Sequence, residues 1–123
     1  MFVTKTIMVV EREVNSSKWL KAVFGKQGYN IVPVYSYSCF QRLKKISPDV
    51  AMIDITIPNE YGFYVLRKIK EIFLSLPLIA IDSNENPLNK KELERLGARG
   101  VVTKPLDLVS LRKMIDTLCG SNN

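Results

Sequence analysis

Residues Val50 to Asp54, with the sequence VAMID, decide the fold class of this chain. Four apolar residues in succession are typical of a strand covered on both faces, since a strand with one face in water alternates apolar and polar residues. Ser47 and Pro48 favour a break in the chain just before this strand. The pattern therefore predicts a buried strand of a parallel sheet, with the carboxylate of Asp54 at its carboxyl end.

Four other segments carry strand signals. Pro33 cannot donate a ladder hydrogen bond, so the segment that contains it is predicted to be an edge strand. The strand that ends at Asp82 repeats the pattern of the first one with the sequence LIAID. The four segments are residues 6–11, 30–34, 78–82 and 100–103.

Apolar residues at helical spacing follow each strand and predict five amphipathic helices. Their inward faces consist of Trp19, Leu20, Val23 and Phe24; Phe40, Leu43 and Ile46; Phe63, Leu66, Ile69, Ile72 and Phe73; Leu88, Leu93 and Leu96; and Leu108, Leu111, Ile115 and Leu118. The predicted N-caps are Asn15 or Ser16, Ser36 or Ser38, and Asp107. Gly28 and Gly97 are predicted to end the first and fourth helices, because glycine adopts the left-handed conformation at little cost. The third helix is predicted to end near Leu76.

The alternation of five strands and five helices predicts an α/β fold, a doubly wound parallel sheet with helices on both faces. Parallel strands need connections long enough to be helical, and these crossovers are right-handed. At 123 residues the chain suits one domain. We expect a single unit over residues 1–123, with its core at about 5–119 and a polar tail at 120–123.

Composition argues against several classes of protein. The longest apolar stretch, residues 72–81, is interrupted by Ser75 and Pro77 and is too short for a membrane helix. No signal peptide is visible at the N-terminus, so a cytoplasmic location is expected. The chain has no histidine, and its cysteines, Cys39 and Cys119, are far apart. This excludes a zinc cluster and histidine-based catalysis, and predicts two free thiols.

A net charge of +6 raises the question of an anionic partner such as nucleic acid. The basic residues are scattered over the predicted helices and mixed with acidic ones rather than clustered. This distribution indicates solvated helix faces and argues against direct nucleic-acid binding. A basic surface that docks a protein is the alternative.

Charged side chains fall at the predicted carboxyl ends of four strands. They are Glu11, Arg12, Asp54, Asp82 and Lys104. Because parallel strands end at one edge of the sheet, we expect these residues to meet there and either to pair with one another or to bind a ligand. A carboxylate near a lysine suggests phosphoryl or metal chemistry. The alternative is a turn aspartate and an unrelated surface lysine.

Over essentially its whole length the chain resembles the receiver domains of two-component response regulators. The resemblance rests on Asp54 followed by Pro58 and Gly62, and on Lys104 followed by Pro105 after the last strand. It implies a flavodoxin-like (βα)5 fold with strand order 2-1-3-4-5. It also implies a role in phosphorelay signal transduction, with a histidine kinase, a phosphotransfer protein or a small phosphodonor as the source of the phosphoryl group.

The resemblance implies that Asp54 is the phosphoacceptor and that Lys104 contacts the phosphoryl oxygens. Mg²⁺ would be held by Glu11, Asp54 and the backbone carbonyl of Thr56. The chain is not expected to be an enzyme beyond self-catalysed phosphotransfer and autodephosphorylation. Its last two helices are the expected docking surface for a downstream protein or output domain. Pro105 is a candidate for a cis peptide bond, and the oligomeric state is open.

Several positions depart from the family pattern. Arg12 replaces the second residue of an acidic pair, and a guanidinium cannot ligate a metal, so Mg²⁺ binding is expected to be weak or absent. Asp82 replaces a Ser or Thr, and its carboxylate would repel a phosphoryl group, although Ser83 could substitute after a shift of one residue. Val101 replaces the aromatic residue that often acts as a conformational switch.

We hypothesise that Arg12 pairs with Asp54, Asp82 or both and takes the place of the metal. Opposite charges about 4 Å apart gain roughly 4 kcal/mol at an effective dielectric of about 20, before desolvation. The alternative is that Arg12 points to solvent.

Three classes of function are open at this point. The first is a phosphorylatable receiver, and the second is a pseudo-receiver that acts as a phosphorylation-independent protein-interaction module. The third is a flavodoxin-like cofactor binder or small enzyme, since one fold hosts many activities. The third class is disfavoured because no glycine-rich phosphate-binding loop follows the first strand.

Overall fold

The computed structural model describes residues 5–10, 14–34, 44–45, 47–56, 61–83 and 87–119, and these contain one five-stranded sheet. The strands are β1 (Lys5–Val10), β2 (Tyr29–Val34), β3 (Val50–Asp54), β4 (Leu78–Asp82) and β5 (Ala98–Thr103). They lie in the order β2-β1-β3-β4-β5, and every neighbouring pair is parallel. The predicted fold class, the strand order and the edge position of the Pro33 strand are confirmed.

The described ranges also contain four helices. They are α1 (Val14–Gly25), α2 (Tyr61–Ile72), α3 (Pro87–Arg95) and α4 (Leu108–Leu118). The helix predicted between β2 and β3 falls largely outside the described residues, as does Cys39; Lys44 and Lys45, which are described, are helical. Within the same ranges, no helix has the length and apolar character that crossing a membrane requires.

Of the four helices described, α1 and α4 cover one face of the sheet, and α2 and α3 cover the other. Strand residues alternate between the faces, so that in β3 Met52 contacts the layer of α1 and α4, while Ile53 contacts the layer of α2 and α3. β3 and β4 are buried along their whole length. Among the helix residues whose burial is described, those at most 2% exposed are Leu20, Phe24, Leu111 and Ile115 in the first layer, and Val65, Leu66, Ile69 and Leu93 in the second. Burying each of these side chains contributes about 1.5–3 kcal/mol.

Several residues of the sequence predicted the ends of helices correctly. Gly28 and Gly97 follow α1 and α3 with φ angles of +90° and +115°, which favour glycine. Asp107 caps α4, because its carboxylate accepts hydrogen bonds from the backbone N–H groups of Val109 and Ser110. The free thiol of Cys119 lies half-buried after α4, and burial raises its pKa.

Other predicted ends were wrong by a few residues. α1 begins at Val14, so neither Asn15 nor Ser16 is its N-cap; cap preference is a weak signal when several polar residues adjoin. α2 ends at Ile72, because Leu76 is buried from a turn in which its N–H donates to the carbonyl of Phe73. β5 begins at Ala98 because this residue pairs with Leu78 across a register irregularity. β1 begins at Lys5 rather than at residue 6, and the predicted end at residue 11 lies outside the described residues.

Tyr29 links the edge strand β2 to the last helix. Its hydroxyl donates a hydrogen bond to the carboxylate of Asp116 in α4, and its ring contacts Phe24 edge-on, with 5.6 Å between the ring centroids. Burial, together with the hydrogen bond and the negative charge of Asp116, raises the pKa of Tyr29 to about 12. This contact therefore depends on the tyrosine keeping its proton.

We predict that Tyr29 makes stability fall at high pH. The unfolded chain loses this proton near the ordinary pKa of 10.0 and the folded chain only near 12, so the contribution is complete below pH 10.0 and is lost as pH rises toward 12. Tyr29→Phe should flatten this part of the pH dependence of the free energy of unfolding, measured in urea between about pH 9 and pH 11. Equal slopes for the two proteins would contradict the prediction.

Candidate functional site

The carboxyl ends of β3, β4 and β5 form one edge of the sheet, and three charged side chains of the described residues lie there. β3 ends at Asp54 and β4 ends at Asp82, while Lys104 directly follows β5. Strand pairing aligns Asp54 with Ile81, the residue before Asp82, and aligns Asp82 with Thr103. Both aspartates are buried, with exposures of 8% and 5%. Unlike the apolar residues before them, they need polar partners to be stable there.

Lys104 is a partner of Asp54. Its Nζ atom lies 2.8 Å from Oδ2 of Asp54, although the two residues are fifty positions apart in the sequence. The lysine side chain is 43% exposed and the aspartate side chain 12% exposed. The backbone N–H of Lys104 also donates to the carbonyl of Asp82 at 2.9 Å. One residue thus ties the ends of β3 and β4 together, and part of its side chain is still exposed to solvent.

The other oxygen of Asp54 is held by Thr56. The backbone N–H of Thr56 donates to Oδ1 at 2.9 Å, and its hydroxyl donates to the same atom. Both carboxylate oxygens are therefore oriented by protein donors. Sequence reasoning gave Thr56 only a backbone-carbonyl role and missed these two hydrogen bonds. The signal was an aspartate two residues before a threonine, a spacing that favours an Asx turn.

Asp82 is bound by different groups. Its Oδ1 atom accepts a hydrogen bond from the backbone N–H of Ser83 at 2.7 Å, and its Oδ2 atom accepts one from Nδ2 of Asn89 in α3 at 3.3 Å. Asp82 is the last residue of β4. Ser83 is exposed, and the group by which it contacts Asp82 is its backbone N–H. Sequence reasoning missed Asn89, which lies four residues before the buried Leu93 and hence on the same side of α3.

Two other predicted positions lie next to this edge. Val101 is partly buried, pairs with Ala80 of β4 and packs in the layer of α2 and α3. The peptide bond between Lys104 and Pro105 is cis. Glu11 and Arg12, by contrast, lie outside the described residues, so the proposed ion pair of Arg12 stays a prediction.

The described part of the site fits a metal ion poorly. Among the described residues no group of three or more acidic, cysteine or histidine side chains could hold one. Both oxygens of Asp54 already accept hydrogen bonds from Thr56 and Lys104. A metal site at Asp54 would therefore need ligands from beyond the described side chains.

Comparison with known proteins agrees with this geometry. The family model described as the response regulator receiver domain matches residues 7–116. The response regulator protein GraR of Staphylococcus saprophyticus is 26% identical over 102 residues, which are 82% of this chain and 45% of that protein. This chain thus spans less than half the length of that relative.

Solved structures show the same fold. The receiver domain of the Francisella response regulator 1452 superposes with a TM-score of 0.85 at 18% identity, and the match covers 98% of this chain and 100% of that one. NtrX from Brucella abortus, in complex with ATP, gives a TM-score of 0.84 at 20% identity over 97% of this chain and 28% of that one.

We predict that Asp54 and Lys104 are energetically coupled. A double-mutant cycle of Asp54→Asn and Lys104→Met, measured by urea unfolding, should give a coupling of about 1–2 kcal/mol, reduced by the exposure of the lysine. The exposed pair of Lys68 and Glu71, 3.5 Å apart, is the matched control and should give less than about 0.5 kcal/mol. A coupling no larger than that of the control would contradict a specific contact.

Proposed function

Because this chain belongs to the response regulator receiver domain family, we propose that Asp54 accepts a phosphoryl group from a histidine kinase, a phosphotransfer protein or a small phosphodonor. The family is regulatory and acts in phosphorelay signal transduction. The observation that carries the assignment to Asp54 is its 2.8 Å contact with Nζ of Lys104. The product is an acyl phosphate that controls a downstream protein or output domain.

The transfer forms one bond and breaks one. A carboxylate oxygen of Asp54 forms a bond to phosphorus, while the bond from phosphorus to the donor nitrogen or oxygen breaks and the donor keeps its electron pair. A carboxylate nucleophile has no proton to lose when it attacks phosphorus, so the step needs no general base. Self-catalysed transfer and autodephosphorylation are the limit of the chemistry that we propose for this chain.

Lys104 and Thr56 supply what the chain itself contributes to this step. The approach of an anionic phosphoryl group to a carboxylate is opposed by repulsion, which the ammonium group of Lys104 reduces. Because Lys104 is half exposed, it can follow the transferred oxygens. The two hydrogen bonds from Thr56 hold Oδ1 and so fix the plane of the carboxylate before the donor arrives.

Asp82 opposes the same step. Its carboxylate stands at the end of the adjacent strand, where a Ser or Thr is usual in the family, and it is 5% exposed. Like charges within one site repel by on the order of 1–4 kcal/mol at an effective dielectric of about 20. We therefore propose that phosphorylation of this chain is slower than that of a receiver with a hydroxyl group at this position.

We propose that this chain binds Mg²⁺ weakly. The ligands would be Glu11, Asp54 and the backbone carbonyl of Thr56, and Arg12 is the group that weakens binding. A bound Mg²⁺ would neutralise charge on the transferring phosphoryl group.

We propose that residues 1–123 form one receiver domain, since all five strands belong to one sheet, and that α3 and α4 dock the downstream partner. A cytoplasmic location stays a prediction. The comparisons do not favour the alternative of a phosphorylation-independent interaction module.

We predict that Asp82→Thr speeds phosphorylation of Asp54. With acetyl phosphate and Mg²⁺, the rate at which one phosphoryl group is added, followed by intact mass, should rise roughly tenfold because a repelling charge is replaced by a hydroxyl donor. Asp107→Ser is the matched control, since it removes an exposed carboxylate but keeps a capping oxygen. Asp54→Ala should abolish the added mass, and a phosphoryl group that persists in this variant would overturn the proposal.

We predict that Arg12→Asp strengthens Mg²⁺ binding. The substitution replaces a cation that cannot ligate a metal with a second carboxylate, and the dissociation constant should fall about tenfold or more. Titration of Mg²⁺ followed by amide NMR shifts in both proteins measures the change. Tight Mg²⁺ binding by the unsubstituted protein would defeat the idea that Arg12 takes the place of the metal.

A further inference from the structure

A hydrogen bond between two side chains joins the site to α3. Nδ2 of Asn89, which is half-buried, donates to Oδ2 of the buried Asp82 at 3.3 Å, and we name this contact the Asp82–Asn89 tether. Ala80 of β4 packs in the layer of α2 and α3. Asp82 is two residues further along the same strand, so its side chain leaves the strand on the same face of the sheet. The tether is thus a polar link within the α3 layer.

The tether acts on one end of α3. Asn89 is the third residue of this helix, and Leu93, one turn later, is 0% exposed in the core. Leu93 holds the middle of α3 in the core through apolar packing. A change of charge at the site does not remove this packing. The first turn depends in addition on the acceptor oxygen of Asp82, so it is the part of α3 that a charge can move.

We propose that the Asp82–Asn89 tether is a charge-operated switch, which holds the first turn of α3 while Asp54 is unmodified and releases it when Asp54 carries a phosphoryl group. This proposal rests on the function proposed for Asp54. Asn89 acts as a positioning residue, and the signal that it transmits is a change in the docking surface of α3 and α4.

The physical reason is repulsion between anions. A phosphoryl group brings about two negative charges to the end of β3, and β4 lies only about 4.8 Å away in a parallel sheet. Asp82 is buried and poorly screened by water, so the repulsion favours rotation of its carboxylate away from the end of β3. This rotation lengthens or breaks the hydrogen bond from Asn89. A Ser or Thr hydroxyl would respond with the opposite sign, since it donates to a phosphoryl oxygen.

Amide hydrogen exchange of Lys91 to Leu93 tests the switch, because these are the first amides of α3 with partners inside the helix. In the unmodified protein, Asn89→Ala should raise their exchange about tenfold, while Lys90→Ala, at an exposed neighbour, should not. Unchanged exchange in Asn89→Ala would overturn the tether. Acetyl phosphate should produce the same increase in the unsubstituted protein, and no further increase in Asn89→Ala.

The charge dependence is tested by Asp82→Asn, which keeps an acceptor oxygen and removes the charge. Phosphorylation should not raise the amide exchange of Asp82→Asn above that of the same variant without phosphorylation. An increase as large as that of the unsubstituted protein would overturn the switch.

If intact mass shows that acetyl phosphate adds no phosphoryl group, the proposed function fails, and Lys104→Gln is then used to test the switch. This variant removes the ammonium group that compensates the charge of Asp54. Lys104→Gln should raise the exchange when Asp82 is present but not when it is combined with Asp82→Asn, and an equal effect in both backgrounds would overturn the proposal.

Discussion

Parallel pairing of β3, β4 and β5 is the constraint on which the site depends. β3 and β4 are apolar up to their last residue and covered on both faces, so a charged side chain is stable only where such a strand ends. Because the pairing is parallel, the ends of β3 and β5 meet at one edge, and Lys104 reaches Asp54 at 2.8 Å. The same packing that excludes charge from the sheet therefore concentrates it in one place.

At that edge the two buried carboxylates have different surroundings. Asp54 accepts hydrogen bonds from Thr56 and from the partly exposed ammonium group of Lys104, which is the partner that a phosphoryl group can attract. Asp82 accepts hydrogen bonds from the backbone of Ser83 and from the amide of Asn89, and the second of these links it to α3. The first arrangement suits an acceptor of phosphoryl groups, and the second suits a sensor of charge that reports to α3.

The sequence predicted what depends on local pattern. Buried strands were visible as apolar runs, and the edge position of β2 followed from Pro33. Helix ends at Gly28 and Gly97 and the cap at Asp107 followed from residue type. The ends of α1, α2 and β5 could not be predicted as well, because tertiary packing of residues such as Leu76 and Ala98 overrides local preference. Within the site, the meeting of Asp54 with Lys104 followed from topology. The hydrogen bonds of Thr56 and Asn89 did not, since side-chain partners depend on a backbone geometry that spacing alone leaves open.

The central claim is that Asp54 carries the phosphoryl group, and locating the modified residue tests it most directly. Borohydride reduces an acyl phosphate of aspartate to homoserine, which peptide mass spectrometry identifies by position. After treatment with acetyl phosphate, the account predicts homoserine at position 54. Homoserine at another position, or none in a protein that has gained a phosphoryl group, would contradict it.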